Sequence, residues 1–219
     1  MPTHTTLALR ISPSIAVAAM DLRNPSTPPY YSQAEIDALA RHIDRPVVLV
    51  GMMGVGKSSV GKRLATALGV SFVDADEEIE KSAQMSIQEI FDHYGEEHFR
   101  DGERRVIARL IEEDAKDRRG RHKVIATGGG AFINPETRKL ILERTIAVWL
   151  DSDLDTLVER TSRKDNRPLL RDGNPREILG RLREGRAPFY SQAPIHVISG
   201  NGPHARTVFD VLKGIEQCL

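Results

Sequence analysis

The sequence predicts an α/β fold, a parallel sheet covered on both faces by helices, and two observations carry that expectation. Short apolar, β-branched segments at 47–50, 70–73, 124–127, 146–150 and 195–198 alternate with longer amphipathic ones. That is the pattern of doubly buried strands joined by crossover helices. Between the first strand and the helix after it lies Gly51-Met52-Met53-Gly54-Val55-Gly56-Lys57-Ser58. A G-x-x-x-x-G-K-[ST] loop in that position can fold its backbone N–H groups around phosphate oxygens, with the lysine reaching the β- and γ-phosphates and the hydroxyl a magnesium ion.

Composition narrows the class. A chain of 219 residues suits one well-buried α/β domain. Its 31 basic residues balance 31 acidic ones, so no long-range field draws in nucleic acid or an anionic membrane. Neither is an expected partner, and a monomer is the expected state. The one cysteine, Cys218, cannot form an intramolecular disulfide, which fits a reducing cytoplasm. No apolar run approaches the roughly 20 residues that span a bilayer.

Each element then has its own signal. Residues 1–29 mix Ser, Thr and Pro with one acid, Asp21, and lack the basic start of a secretory signal. They are expected to be disordered. The S-Q-A-E run at 32–35 is a capping box, so a short helix near 32–43 closes an N-terminal extension of residues 1–44, ahead of a domain at 45–219. Val60, Leu64, Ala67 and Leu68 give the phosphate-loop helix an apolar stripe. The second strand delivers Asp74 and Asp76 at its carboxyl end, where open α/β sheets gather ligands. On an extended segment both carboxylates would face one side, although the same pair could simply cap a helix over 77–83. Ser86 and Glu89 start a helix that Gly95 stops, and a charged amphipathic helix follows over 96–119.

The third strand runs into Gly128-Gly129-Gly130, either bare backbone beside a site or a tight turn. Asn134-Pro135 starts a helix with both residues in favoured places. Trp149 on the fourth strand is expected in the core, and Ser152 and Asp153 open the helix after it. Residues 162–175 carry several arginines and few apolar anchors; such a loop is expected to be mobile, and in a phosphoryl-transfer enzyme it could close over the phosphates. A helix over 176–192, the last strand and a helix over 203–219 complete the chain. The seven histidines show no metal-ligand spacing.

With these residues placed, the chain from about residue 46 onward resembles the shikimate kinases, of the nucleoside-monophosphate-kinase-like branch of phosphate-loop folds. The resemblance rests on G-M-M-G-V-G-K-S, D-A-D, F-R-D-G-E, G-G-G, R-P-L-L and R-A-P-F-Y, in that order. It implies a three-layer fold around a five-stranded parallel sheet, a substrate-binding region at about 76–110 and a lid at about 163–174. It also implies ATP and shikimate as substrates, Mg²⁺ as cofactor and phosphoryl transfer to the 3-hydroxyl of shikimate.

By the same resemblance, Gly54, Val55, Gly56, Lys57, Ser58 and Ser59 hold the nucleotide phosphates, while Arg160 and Pro203 bracket adenine. Ser58 ligates Mg²⁺ and Asp74 holds it through water, since the strand at 124–127 carries no acid to do so. Lys57, Asp76 and Arg167 carry catalysis, Arg167 also touching the nucleotide. Asp76, Arg100, Gly128, Gly129, Gly130 and Arg186 bind shikimate, with Glu103 steering Arg100 from one helical turn away. The chemistry is consistent: a small acid bearing hydroxyls needs guanidinium forks for its carboxylate and an acceptor for its hydroxyls. Two rival readings remain at this point, a gluconate kinase or other small-metabolite kinase, and a nucleotide-dependent switch protein. The guanine-selecting N-K-x-D pattern is absent, which disfavours a GTPase.

Overall fold

The computed structural model describes residues 31–115, 122–162 and 173–219. Strand β1 (Val47–Val50) is buried at all four positions, which is why its sequence is an unbroken apolar run rather than an alternation. It sits at the middle of a five-stranded sheet of order β2-β3-β1-β4-β5, where β2 is Phe72–Asp74, β3 Val124–Ala126, β4 Ile146–Asp151 and β5 Ile195–Ile198. Every pairing is parallel. The chain turns to one side of β1 for β2 and β3 and to the other for β4 and β5, so a crevice opens at the carboxyl end of β1. The edge strand β5 alternates, leaving His196 and Ile198 exposed.

Helices α1 (Gln33–His42), α2 (Lys57–Leu68), α3 (Ala75–Ala83), α4 (Ile87–Ala115), α5 (Pro135–Arg144), α6 (Leu154–Ser162), α7 (Pro175–Tyr190) and α8 (His204–Cys218) surround the sheet. Ser32 and Glu35 form the expected reciprocal capping box on α1. That helix is packed against the domain: Leu39 and Ile43 join the core, and the Tyr31 hydroxyl donates to Glu216 of α8 at 2.6 Å. Residues 1–30, the end of the predicted helix at 116–119, and the predicted lid with Arg167 lie outside the described residues, apart from Gly173 and Asn174 at the lid's end.

Several boundaries differ from those expected. Strand β2 begins two residues late, and α3 begins directly at Ala75, so Asp76 stands in the first turn of a helix and not on an extended segment. Extended alternation therefore has no part in bringing Asp74 and Asp76 together. The two helices expected around Gly95 run into one another as α4, with Gly95 itself at φ 80° and ψ 174°. Only a residue without Cβ takes that conformation readily, and the kink redirects the part of α4 that carries Arg100 and Glu103. Trp149 is partly buried rather than a core residue, its ring stacked on exposed His196 at a centroid distance of 3.9 Å.

Candidate active site

The phosphate loop leaves β1 at its buried carboxyl end and enters α2 at Gly56, whose φ of 101° makes a left-handed N-cap. Lys57 is 9% exposed, and its Nζ donates to the carbonyls of Gly51 at 2.8 Å and Met52 at 2.9 Å, curling over its own loop. The Ser58 hydroxyl donates to Asp74 Oδ2 at 2.5 Å. Asp74 Oδ1 accepts from the Asp76 backbone N–H at 3.1 Å. One carboxylate thus caps α3, which begins at Ala75 rather than Glu77, and also faces the phosphate loop, whereas Asp76 lies inside the helix and caps nothing.

A cavity of about 390 Å³ opens here. Gly54, Gly56, Lys57, Ser58 and Ser59 line it from the loop, and Asp74, Asp76, Thr127 and Gly129 from the neighbouring strand ends. Val55, also in the loop, is fully buried and does not line the cavity. Arg160 also lines the cavity, donating to Val55 O at 3.1 Å and Gly200 O at 2.6 Å, and so ties the loop to the β5–α8 connection. Pro203 is exposed at the N-cap of α8, and the cavity wall beside it is the next residue, His204. Sequence reasoning missed His204, although its place at the start of a helix following a strand's carboxyl end was a usable signal. Burial and the nearby Arg63 and Arg160 hold its imidazole below the usual range, hence neutral.

The three glycines after β3 are where separate elements meet. A Cβ on Gly128 would stand 2.4 Å from Glu103 Oε1 and 2.8 Å from Asp76 Oδ1. On Gly129 it would stand 3.0 Å from the Met53 backbone N and 3.7 Å from an Arg186 nitrogen, and on Gly130 2.4 Å from Arg100 Nη1. Side chains from α3, α4 and α7 therefore occupy the space that these residues leave bare. Arg100 donates to Glu103 at 2.7 Å and to Glu96 at 3.0 Å, and Arg186 donates to Gly129 O at 2.8 Å. Lys57, Asp76 and Gly129 line the cavity; Arg100 and Arg186 do not, and lie behind it against Gly130 and Gly129 of the glycine turn.

Charge is crowded on this side. Burial, reinforced by Asp74 and Glu103, pushes the Asp76 carboxyl up to about 6, against a counter-pull from Lys57. Burial also raises Glu103, although Arg100, Arg186 and Lys57 pull it down. Burial works against the charge on Arg100, but Glu103 and Glu96 more than offset it. Asp76 Oδ1 and Glu103 Oε1 are buried without a hydrogen-bond partner among the described residues. Buried acceptors left open in this way suit a ligand that brings hydroxyl donors.

For a metal, Ser58 Oγ and Asp74 Oδ2 offer two hard oxygens on the phosphate side. No group of three or more His, Cys, Asp or Glu side chains able to hold a metal occurs among the described residues. That donor set fits Mg²⁺, which keeps several waters and takes most of its remaining ligands from phosphate oxygens.

A doubly wound parallel sheet, a phosphate loop at its switch point and a polar acceptor pocket beside it define an ATP-dependent small-molecule kinase of the phosphate-loop class. The shikimate kinase family model matches residues 53–216. A shikimate kinase of Novosphingobium aromaticivorans is 64% identical over 188 residues, covering 86% of this chain and 96% of that one. One of Caulobacter vibrioides is 52% identical over 181 residues, covering 83% and 87%. Among solved structures, a shikimate kinase from Acinetobacter baumannii in complex with shikimate superposes with a TM-score of 0.71 at 34% identity, covering 85% of this chain and 96% of that one. The chain belongs to the shikimate kinase family.

Proposed function

We propose that this enzyme transfers the γ-phosphoryl group of ATP to the 3-hydroxyl of shikimate, with roles divided along the cavity. The observation that carries the assignment is the open Asp76 carboxylate, buried between the lysine-bearing loop and the glycine turn backed by Arg100 and Arg186. Backbone N–H groups from Gly54 to Ser59 cradle the phosphates, and Lys57 exchanges its loop carbonyls for phosphate oxygens. Arg160 lies beside the base, with Pro203 and His204 at the start of α8. Gly128, Gly129 and Gly130 let the acid's ring approach the backbone, while Arg100 and Arg186 pair with its carboxylate. Glu103 keeps Arg100 charged and aimed.

Asp76 accepts a hydrogen bond from the attacking hydroxyl, aims it along the line of transfer and takes its proton as the new O–P bond forms and the bond from the γ-phosphorus to the β–γ bridging oxygen breaks, releasing ADP. With a carboxyl at about 6, it is ionised at neutral pH and a better transient proton acceptor than an ordinary carboxylate. Ser58, and Asp74 through water, would hold Mg²⁺, which when bound neutralises charge on the phosphates. Lys57 and Arg167 neutralise the charge that develops on the transferring group, so catalysis is chiefly placement and electrostatics. A monomer is the proposed state. No helix among the described residues is long and apolar enough to cross a membrane, and with a single cysteine the cytoplasm is the proposed location.

The test is ADP formation with shikimate, with gluconate and with no acceptor. Release that depends on shikimate alone supports the proposal; equal release in all three arms removes it, and preference for gluconate would instead favour the rival small-acid kinase.

A further inference from the structure

The R-A-P-F-Y segment sends two side chains to the glycine turn, and only Arg186 has a part in the reaction as described so far. Tyr190 lies four residues on, on the same face of α7. Its hydroxyl donates to the carbonyl of Gly129, the oxygen that also accepts from Arg186 at 2.8 Å. The phenol is 1% exposed, and its ring stacks near Trp149 of β4 and Phe132 at centroid distances of 6.0 and 6.4 Å. Burial pushes its hydroxyl up to about 12, so it stays a neutral donor throughout the working range. Gly129 in turn sits against the phosphate loop, close to the backbone N of Met53.

We propose that Tyr190 is a positioning residue for the acceptor acid, because its hydroxyl shares the Gly129 carbonyl with Arg186 and holds turn and guanidinium in the arrangement that receives a carboxylate. A carbonyl oxygen has two lone pairs. With one engaged by Tyr190, Arg186 commits a single N–H to the backbone and keeps the rest of its fork for an anion. Without the hydroxyl, the guanidinium can slide fully onto the carbonyl, and the turn can rotate away from the phosphate loop. This inference rests on the assignment of Arg186 to the acid.

Tyr190→Phe tests it, since the ring and its stacking survive and only the donor is lost. The expected result is a KM for shikimate raised about two- to tenfold, the span of one hydrogen bond, with kcat and the KM for ATP within about twofold of the parent. Leu179→Ala, at a fully buried position on the same helix, controls for loosened packing and should lower Tm while leaving the KM for shikimate alone. In an Arg186→Ala background, Tyr190→Phe should add little, because the two side chains act on one oxygen.

If Arg186→Ala leaves the KM for shikimate unchanged, the acid-binding assignment fails and the positioning role falls with it. If Arg186→Ala raises that KM while Tyr190→Phe does not, or Leu179→Ala raises it as much, the assignment stands and the positioning role alone is overturned.

Discussion

Replacing Gly130 with alanine separates a defect in the site from a defect in the fold. Gly130 has φ −105° and ψ −14°, a conformation alanine adopts without strain. The new methyl would meet Arg100 Nη1 at 2.4 Å and its Cζ and Nη2 at 2.6 Å. Those atoms are the far end of a flexible side chain, so the guanidinium can retreat roughly 1 Å to an ordinary contact near 3.5 Å. On the binding mode proposed above, the retreat would pull Arg100 off the acid's carboxylate; it would also loosen the 2.7 Å hydrogen bond to Glu103.

A hydrogen bond between charged groups contributes about 1.5–3 kcal/mol. At about 1.4 kcal/mol per tenfold, losing that bond to the substrate raises KM for shikimate about ten- to hundredfold. Stability should change little, because Gly→Ala at a compatible site stabilises by about 0.4–1 kcal/mol and partly offsets the weakened Arg100–Glu103 pair. For a chain of this size that leaves Tm within a few degrees of the parent, at about 2–4 °C per kcal/mol. Initial rates with shikimate varied at saturating ATP, beside a thermal melt, make the measurement. An unchanged KM in a protein that melts normally would refute the placement of Arg100 at the acceptor, and a collapse in Tm would show that the guanidinium cannot move aside.

Asp76→Asn should abolish turnover yet stabilise the empty enzyme near pH 7.5. Below about pH 4 the carboxyl is protonated folded and unfolded alike; between about 4 and 6 only the unfolded chain ionises; above 6 the full penalty applies, about 3 kcal/mol for a shift of about two units. The variant's advantage in Tm should therefore grow from pH 4 to pH 6 and then level off, and melting curves of the two proteins that run parallel across that range would contradict it. Lys57→Ala should reduce kcat far more than it raises the KM for shikimate, and normal turnover in the purified variant would rule out its role. Gly51→Ala should destabilise severely, because its φ is 136° and a Cβ would stand 2.2 Å from the Leu150 carbonyl oxygen. Backbone strain alone is about 1–3 kcal/mol, and a melt within 2 °C of the parent would count against the geometry.

What could be read from the residues follows how local each cause is. The phosphate loop was legible because its requirements, glycines, a lysine and a hydroxyl between a strand and a helix, lie within eight consecutive positions. Arg100 and Arg186 were not legible from pattern: on charged helices they resemble any solvated arginine, and only the family resemblance singled them out. The purpose of Gly128-Gly129-Gly130 was ambiguous because the side chains that need the space come from α3, α4 and α7, and no local window contains them. Asp74 and Asp76 could align by alternation or cap a helix, but the helix begins directly after the strand ends, and Asp74 as its N-cap and Asp76 in its first turn both line the cavity. Tyr190 stood in a quoted motif without a role because its partner is a backbone atom 61 positions away.

The level start of four strands has a practical side. Val47 is in register with Val124 and Ile146, and Phe72 with Val124, so the residues before them, Pro46, Ser71, Lys123 and Thr145, share the rim opposite the cavity. Ser71 is exposed there. A dye or solid support coupled through a cysteine introduced at Ser71, with Cys218 replaced, would leave the mouth of the pocket pointing outward and open to both reactants.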